Sequence, residues 1–262
     1  MEAEKKGLLD EFIAYLEEQV KNHSIYVWGA QGQGEDKISE EFIKNRETSE
    51  KNSKRAIKFW KKQVEAGYGS VLKAFDCSGL IVYWLKDIKK IFENDMTANG
   101  LMGRCRPVLK AQLEKGDWVF RVNDSGRATH VGIVADESLN VIEAYGRDRG
   151  VIKRGLNEGG ASYWNGFGRP EVFTDEITES KPEGQYIFSR IMKKTSPLMR
   201  GEDIKRLQQL IKAAGFSPGS IDGVYGKNTK SAVKLFQKAN ALKADGIAGR
   251  NTVAMLGQIW TQ

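Results

Sequence analysis

Along the first twenty residues, apolar side chains recur at Leu8, Leu9, Phe12, Ile13 and Leu16 with carboxylates on the opposite side, the spacing of an amphipathic helix over 8–20. An aromatic and glycine turn follows (Tyr26-Val27-Trp28-Gly29-Ala30-Gln31-Gly32), then a charged stretch to about residue 66 in which 38–45 and 54–64 read as helices. The step Asp76-Cys77-Ser78-Gly79 opens another helix, predicted to run through the apolar residues 80–85 to about Phe92, with Asp76 or Ser78 as its cap. From Gly116 the period changes to short β-branched and aromatic runs divided by Gly, Asn and Asp: GDWVFRV, THVGIVAD, NVIEAYG, GVIKR and GFGRPEVF. A helical half followed by a meandering antiparallel half predicts an α+β domain.

Between Thr174 and Thr195 the pattern weakens and charge rises, which reads as a connector, although 186–192 keeps apolar residues that could pack. The last segment repeats itself: Asp222-Gly-Val-Tyr-Gly-Lys-Asn-Thr229 returns as Asp245-Gly-Ile-Ala-Gly-Arg-Asn-Thr252, each copy leading into an apolar helical run. With 203–214 this makes three short helices joined by matched turns. The predicted organisation is a domain at 1–173, a linker at 174–196 and a small all-α domain at 197–262, and 262 residues suit two unequal domains.

No apolar run approaches the roughly 18 residues of a membrane span, and Glu2, Glu4, Lys5, Lys6, Glu11 and Glu17-Glu18 break up any secretory core near the N-terminus. The expectation is a chain made in the cytoplasm without a signal peptide, so that another agent must deliver it to any target outside. Two cysteines make neither a disulfide framework nor a cysteine-rich zinc site, and no metal or cofactor is expected. The formal charge of +7 is unevenly spread, because from Pro197 onward ten basic residues face four acidic ones. Such a tail is either a solubilising face or the footprint of a polyanion: nucleic acid, a membrane surface or an anionic cell wall. No aromatic stacking platform accompanies it, so nucleic acid is not expected.

Cys77 stands where the free N–H groups and positive end of a helix favour thiolate over thiol, with Gly79 keeping the approach to the sulfur open. A buried cysteine opening a core helix is the alternative, and the polar, small neighbours Asp76, Ser78 and Gly79 speak against it. A thiolate nucleophile needs a base that also protonates the leaving amine. Of the two histidines, His23 lies in a polar loop, whereas His130 opens the apolar strand 131–134. His130 is therefore the candidate base, against the alternative of a strand-end histidine that is merely satisfied. The following strand would run antiparallel and could bring Glu143 beside His130 to fix its tautomer, or leave Glu143 facing outward.

Three strings, Tyr26-Val27-Trp28-Gly29, Phe75-Asp76-Cys77-Ser78-Gly79-Leu80 and Thr129-His130-Val131-Gly132-Ile133-Val134, resemble in order the NlpC-type family of papain-like peptidoglycan peptidases, over roughly residues 8–173. The resemblance implies a papain-like fold with N-terminal helices packed on an antiparallel sheet. It further implies that Cys77 attacks a stem-peptide amide to form a thioester, that His130 is the base, that Tyr26 helps hold the oxyanion or substrate, and that Asp76 and Ser78 contact substrate or order the nucleophile's turn. The chain departs from the family at two places: Glu143 stands where a histidine or an amide is usual, and the stretch 32–74 is longer than expected. Residues from about Pro197 to Leu256 are similar to the three-helix peptidoglycan-binding domain, through Leu207-Gln208-Gln209-Leu210, the two repeated turns and the Ala232-Val233…Phe236-Gln237 string.

Together these imply a monomeric, endolysin-like hydrolase of bacterial peptidoglycan, released to the wall by a holin and cutting next to D-glutamate. The alternatives are an inactive wall-binding scaffold and an N-acetylmuramoyl-L-alanine amidase using the same Cys-His site.

Overall fold

The computed structural model describes residues 2–123, 126–160, 162–174, 186–240 and 242–261. It is a mixed α+β structure in which helices precede an antiparallel sheet and three helices follow it. The opening helix α1 (Glu2–Lys21) buries Phe12, Tyr15 and Leu16, and the Tyr15 hydroxyl donates to the Leu80 carbonyl at 3.1 Å. Two short strands follow, β1 (Ile25–Tyr26) and β2 (Gln31–Gln33). The charged stretch forms α2 (Glu40–Arg46) and α3 (Glu50–Glu65), capped by the hydroxyls of Ser39 and Ser49, which accept from Phe42 N and Asn52 N. The second of these begins four residues before the expected start, because its first turn is polar and shows in the sequence only through the Ser49 cap.

Strand β3 (Ala74–Phe75) lies between β1, to which it is parallel, and β2, to which it is antiparallel. It leads straight into α4 (Gly79–Val82), which continues as a π-helical stretch at Tyr83–Ile88 with Lys89 N bonded to Trp84 O. This helix stops short of the expected Phe92. Lys90 takes a left-handed φ of 58°, which turns the chain out of the helical path.

After α5 (Ala98–Met102), a six-stranded antiparallel sheet is built from β4 (Cys105–Pro107), β5 (Trp118–Val122), β6 (Ala128–Val134), β7 (Asn140–Gly146), β8 (Gly150–Gly155) and β9 (Gly166–Pro170), in the order β4-β9-β5-β6-β7-β8. Five of these strands correspond to the alternating runs in the sequence. The edge strand β4 is new, since three residues ending in proline carry no period. One sheet face meets α1 and α4 through Ile133, Ile142 and Ala144.

The C-terminal region holds β10 (Ile187–Phe188), α6 (Glu202–Ala213), α7 (Lys227–Ala239), α8 (Arg250–Met255) and β11 (Ile259–Trp260). Residues within the expected linker are ordered here: β10 pairs in parallel with β11, and Met192 bridges to Ala248, while 175–185 lie outside the described residues. The internal repeat has one mechanical cause in each copy. Gln208 Nε2 donates to Asp222, the Val224 carbonyl and Thr229, and its Oε1 accepts from Gly223 N. Gln237 does the same with Asp245, the Ile247 carbonyl, Thr252 and Gly246 N. Each buried glutamine thus pins one turn from the preceding helix, and the glycines Gly223 and Gly246 supply the positive φ that the turn requires.

Candidate active site

The turn between β3 and α4 is held by Asp76. Its carboxylate accepts from Gly29 N at 3.0 Å, Gly79 N at 2.6 Å and the Ser78 hydroxyl at 3.1 Å, while Asp76 N bonds to the Ala30 carbonyl. Burial raises the pKa of this carboxyl, and the three hydrogen bonds oppose the shift. Asp76 and Ser78 are thus tied into the turn that presents Cys77. The reason for Gly79 differs from the open approach expected of it: a Cβ there would stand 2.1 Å from the Ala30 carbonyl oxygen, so only glycine lets the 27–30 loop close against the start of α4.

Across from this turn, β6 presents His130, with 13% of its side chain exposed. Its Nε2 lies 2.6 Å from Glu143 Oε2, and because a carboxylate only accepts, the proton is on Nε2. The Cys77 side chain lies beside the imidazole, near enough to act on its ionisation. Burial alone would depress the His130 pKa; the interactions with Cys77 and Glu143 outweigh burial and lift it to about 9. The imidazole plane is set by Trp164, whose ring stacks on it at 5.6 Å between centroids and 8° between planes. Gly132, two residues along β6, leaves the room for that indole.

The structure therefore brings Cys77, His130 and Glu143 into one chain of contacts. Glu143 faces inward with no exposed surface, which resolves the choice between inward and outward orientation. Its second oxygen accepts from Arg154 Nε at 2.6 Å, and the Tyr163 hydroxyl lies 3.4 Å from the first. Tyr26 is buried in β1, and its phenol is pushed well above the usual range by burial and then by the nearby Cys77 and Asp76. Against its ring lies the guanidinium of Arg147 at 4.8 Å, itself paired with the fully buried carboxylate of Glu47 at 2.7 Å. Glu47 also accepts from Trp28 N. The long 32–74 stretch thus reaches the cleft wall through the residue that joins α2 to α3.

Arg154, Tyr163, Trp164, Arg147 and Glu47 did not stand out in the sequence. Arg154 offered one signal, a cation inside the alternating run GVIKR, where a buried charge requires a partner. A groove of about 2560 Å³ lined by Leu8, Cys105, Phe167, Arg250 and Trp260 lies apart and includes none of the three candidate residues.

Comparison with known proteins agrees with this architecture. The NlpC/P60 family model matches residues 23–166, and the peptidoglycan binding domain model matches residues 200–256. The chain belongs to the NlpC/P60 family. Residues 26, 76–78, 130 and 143 all fall inside the family match. Curated relatives include the N-acetylmuramoyl-L-alanine amidase CwlL of Bacillus licheniformis, 43% identical over 74 residues, covering 26% of this chain and 21% of that protein. A spore cortex-lytic enzyme of Bacillus cereus is 45% identical over 56 residues, covering 21% of this chain and 22% of the relative. The chain thus spans about a fifth of the length of these relatives. Among solved structures, the peptidoglycan hydrolase RipB of Mycobacterium tuberculosis is similar at 18% identity and a TM-score of 0.37, covering 62% of this chain and 65% of that one.

Proposed function

We propose that this NlpC/P60 protein is a cysteine-dependent peptidoglycan hydrolase that cleaves an amide of the stem peptide, with Cys77 as nucleophile and His130 as the acid–base group. The observation that carries the reading is the position of His130, beside Cys77 on one side and hydrogen-bonded to the buried Glu143 on the other. The Cys77 thiolate attacks the amide carbonyl, and the imidazolium gives its proton to the departing amine as the C–N bond breaks. Water, deprotonated by the now neutral imidazole, then hydrolyses the thioester and restores the pair. Tyr26, beside Cys77, would steady the oxyanion or the substrate.

The bond is assigned to the D-glutamate side of the stem peptide, a γ-D-glutamyl endopeptidase cut, and the module at 200–256 holds the enzyme on the wall, where tethering raises its local concentration. Purified protein should release soluble fragments from isolated walls, and mass spectrometry of the new termini reads the bond directly. Fragments ending at N-acetylmuramic acid would make it an amidase instead. Loss of turbidity when the protein is added to cells tests the endolysin-like role. Cys77→Ala should abolish release while wall binding persists; continued release by that variant would overturn the mechanism.

A further inference from the structure

Glu143 does not meet His130 as a lone carboxylate. Arg154 stands on β8 one diagonal step away in the sheet, since Val141 pairs with Arg154 and Glu143 with Ile152. Its Nε donates to Glu143, and its guanidinium is caged between two phenol rings, 4.2 Å from the centroid of Tyr163 and 4.9 Å from that of Tyr145. The stack continues on both sides, with Arg121 over Tyr163 at 4.8 Å and Arg149 over Tyr145 at 5.1 Å. The Arg154 side chain is 4% exposed, and its Nη2 is buried with no hydrogen-bond partner. A guanidinium left with an unsatisfied donor is costly, and ring faces on both sides offset part of that cost. Such a residue would not be kept for stability alone, because a buried ion pair gains little over apolar packing.

We propose that Arg154 is a positioning residue that neutralises Glu143, so that the pair presents His130 with an electrically neutral acceptor equivalent to a side-chain amide. A carboxylate by itself would hold the imidazolium too tightly to release its proton to a leaving amine. With the guanidinium opposing that charge, the carboxylate keeps its orienting hydrogen bond, and its grip on the proton is weakened. The tyrosine cage fixes the distance over which this opposition acts, and Tyr163, whose phenol burial pushes up to about 12, stays protonated as a donor to Glu143. The titratable and charged groups that meet the imidazole are Cys77 from the β3–α4 turn and Glu143 from β7, with Arg121 paired opposite His130 on β5; behind Glu143 stand Arg154 from β8 and Tyr163 from the segment before β9, and Tyr145 of β7 lies against Arg154.

This inference rests on the proposed reading that Cys77 and His130 react together, but its test needs no substrate. The chain has only two histidines, so His23→Gln leaves a single imidazole whose titration NMR can follow in the full-length protein. In that background, Arg154→Met should raise the His130 pKa by about one unit, and Glu143→Gln should lower it below that of the Glu143→Gln/Arg154→Met double variant. The double variant should return close to the parent. Hydrolysis should follow, with the alkaline limit of kcat moving upward in Arg154→Met and back in the double variant. If Arg154→Met does not fold, the Glu143→Gln pair of measurements decides. An unchanged His130 pKa in Arg154→Met, or equal values for Glu143→Gln with and without Arg154, would overturn the proposal. Hydrolysis surviving Cys77→Ala would instead overturn the functional reading and leave the titration series standing.

Discussion

At the scale of single residues, two thiols in different surroundings give the sharpest test of the site. Cys105 is in β4 with its Sγ donating to the Leu101 carbonyl at 3.4 Å, and burial drives its pKa well above the usual range. Cys77 lies beside the His130 imidazole, whose pKa its surroundings lift to about 9. Iodoacetamide at neutral pH should therefore label Cys77 at least tenfold faster than Cys105, and peptide mapping would show equal slow labelling if the site were inert. The same ionisation sets the pH window. Below about 9 the imidazolium has a proton to give, and above it that proton is lost, so hydrolysis should fall as pH rises through about 9. A pH profile of fragment release checks this, and an alkaline limit near 7 would contradict it. Cys77 and His130 were legible in the sequence because the chain has so few residues of either type and both sit where elements begin. Arg154, Tyr163 and Trp164 were not, because sheet register and a loop, rather than local pattern, bring them to Glu143 and His130.

Among the elements, the period of apolar residues located the longer helices and the five longest strands of the sheet but not β1, β2, β3, α5, β10 or β11, which are too short to show a period, and the other differences fall where something other than period decides. The helix after Cys77 ends early at a left-handed Lys90, β4 is too short to alternate, and Ser49 starts α3 ahead of its apolar face. Two close contacts make elements testable. Gly79→Ala would push a methyl onto the Ala30 carbonyl, and since backbone rather than a flexible side chain must move, a loss of about 1–3 kcal/mol is expected in chemical denaturation. That loss should come with lost hydrolysis, because the same contact positions Cys77. Gln237→Leu would leave Gly246 N and the partners of Nε2 without their buried bond and should cost the C-terminal module about 2–3 kcal/mol. Differential scanning calorimetry that showed no lowering of any transition in Gln237→Leu would mean the repeat is not held as described.

The whole molecule couples a nearly neutral N-terminal region to a strongly basic C-terminal one, where ten basic residues face four acidic ones. If that charge serves attraction to an anionic wall, it should act over distances that salt can screen, about 8 Å at physiological ionic strength. Lys227, Lys234 and Lys238 are exposed along α7 while Ala232, Val233 and Phe236 form its buried face, so changing these lysines leaves the core untouched. The triple variant Lys227→Glu, Lys234→Glu, Lys238→Glu brings the C-terminal region from +6 to neutral. It should elute from isolated walls at lower salt than the parent and lose most of the parent's salt dependence. Cleavage of a short soluble stem peptide should stay the same, since that reaction needs only the Cys77 and His130 side of the molecule. Retention unchanged by the triple variant would mean that neutral wall groups are recognised by shape, and that the basic excess serves solubility. Loss of soluble-peptide cleavage would show instead that α7 supports the candidate site, which makes the two readouts together a measure of how independent the N-terminal and C-terminal regions are.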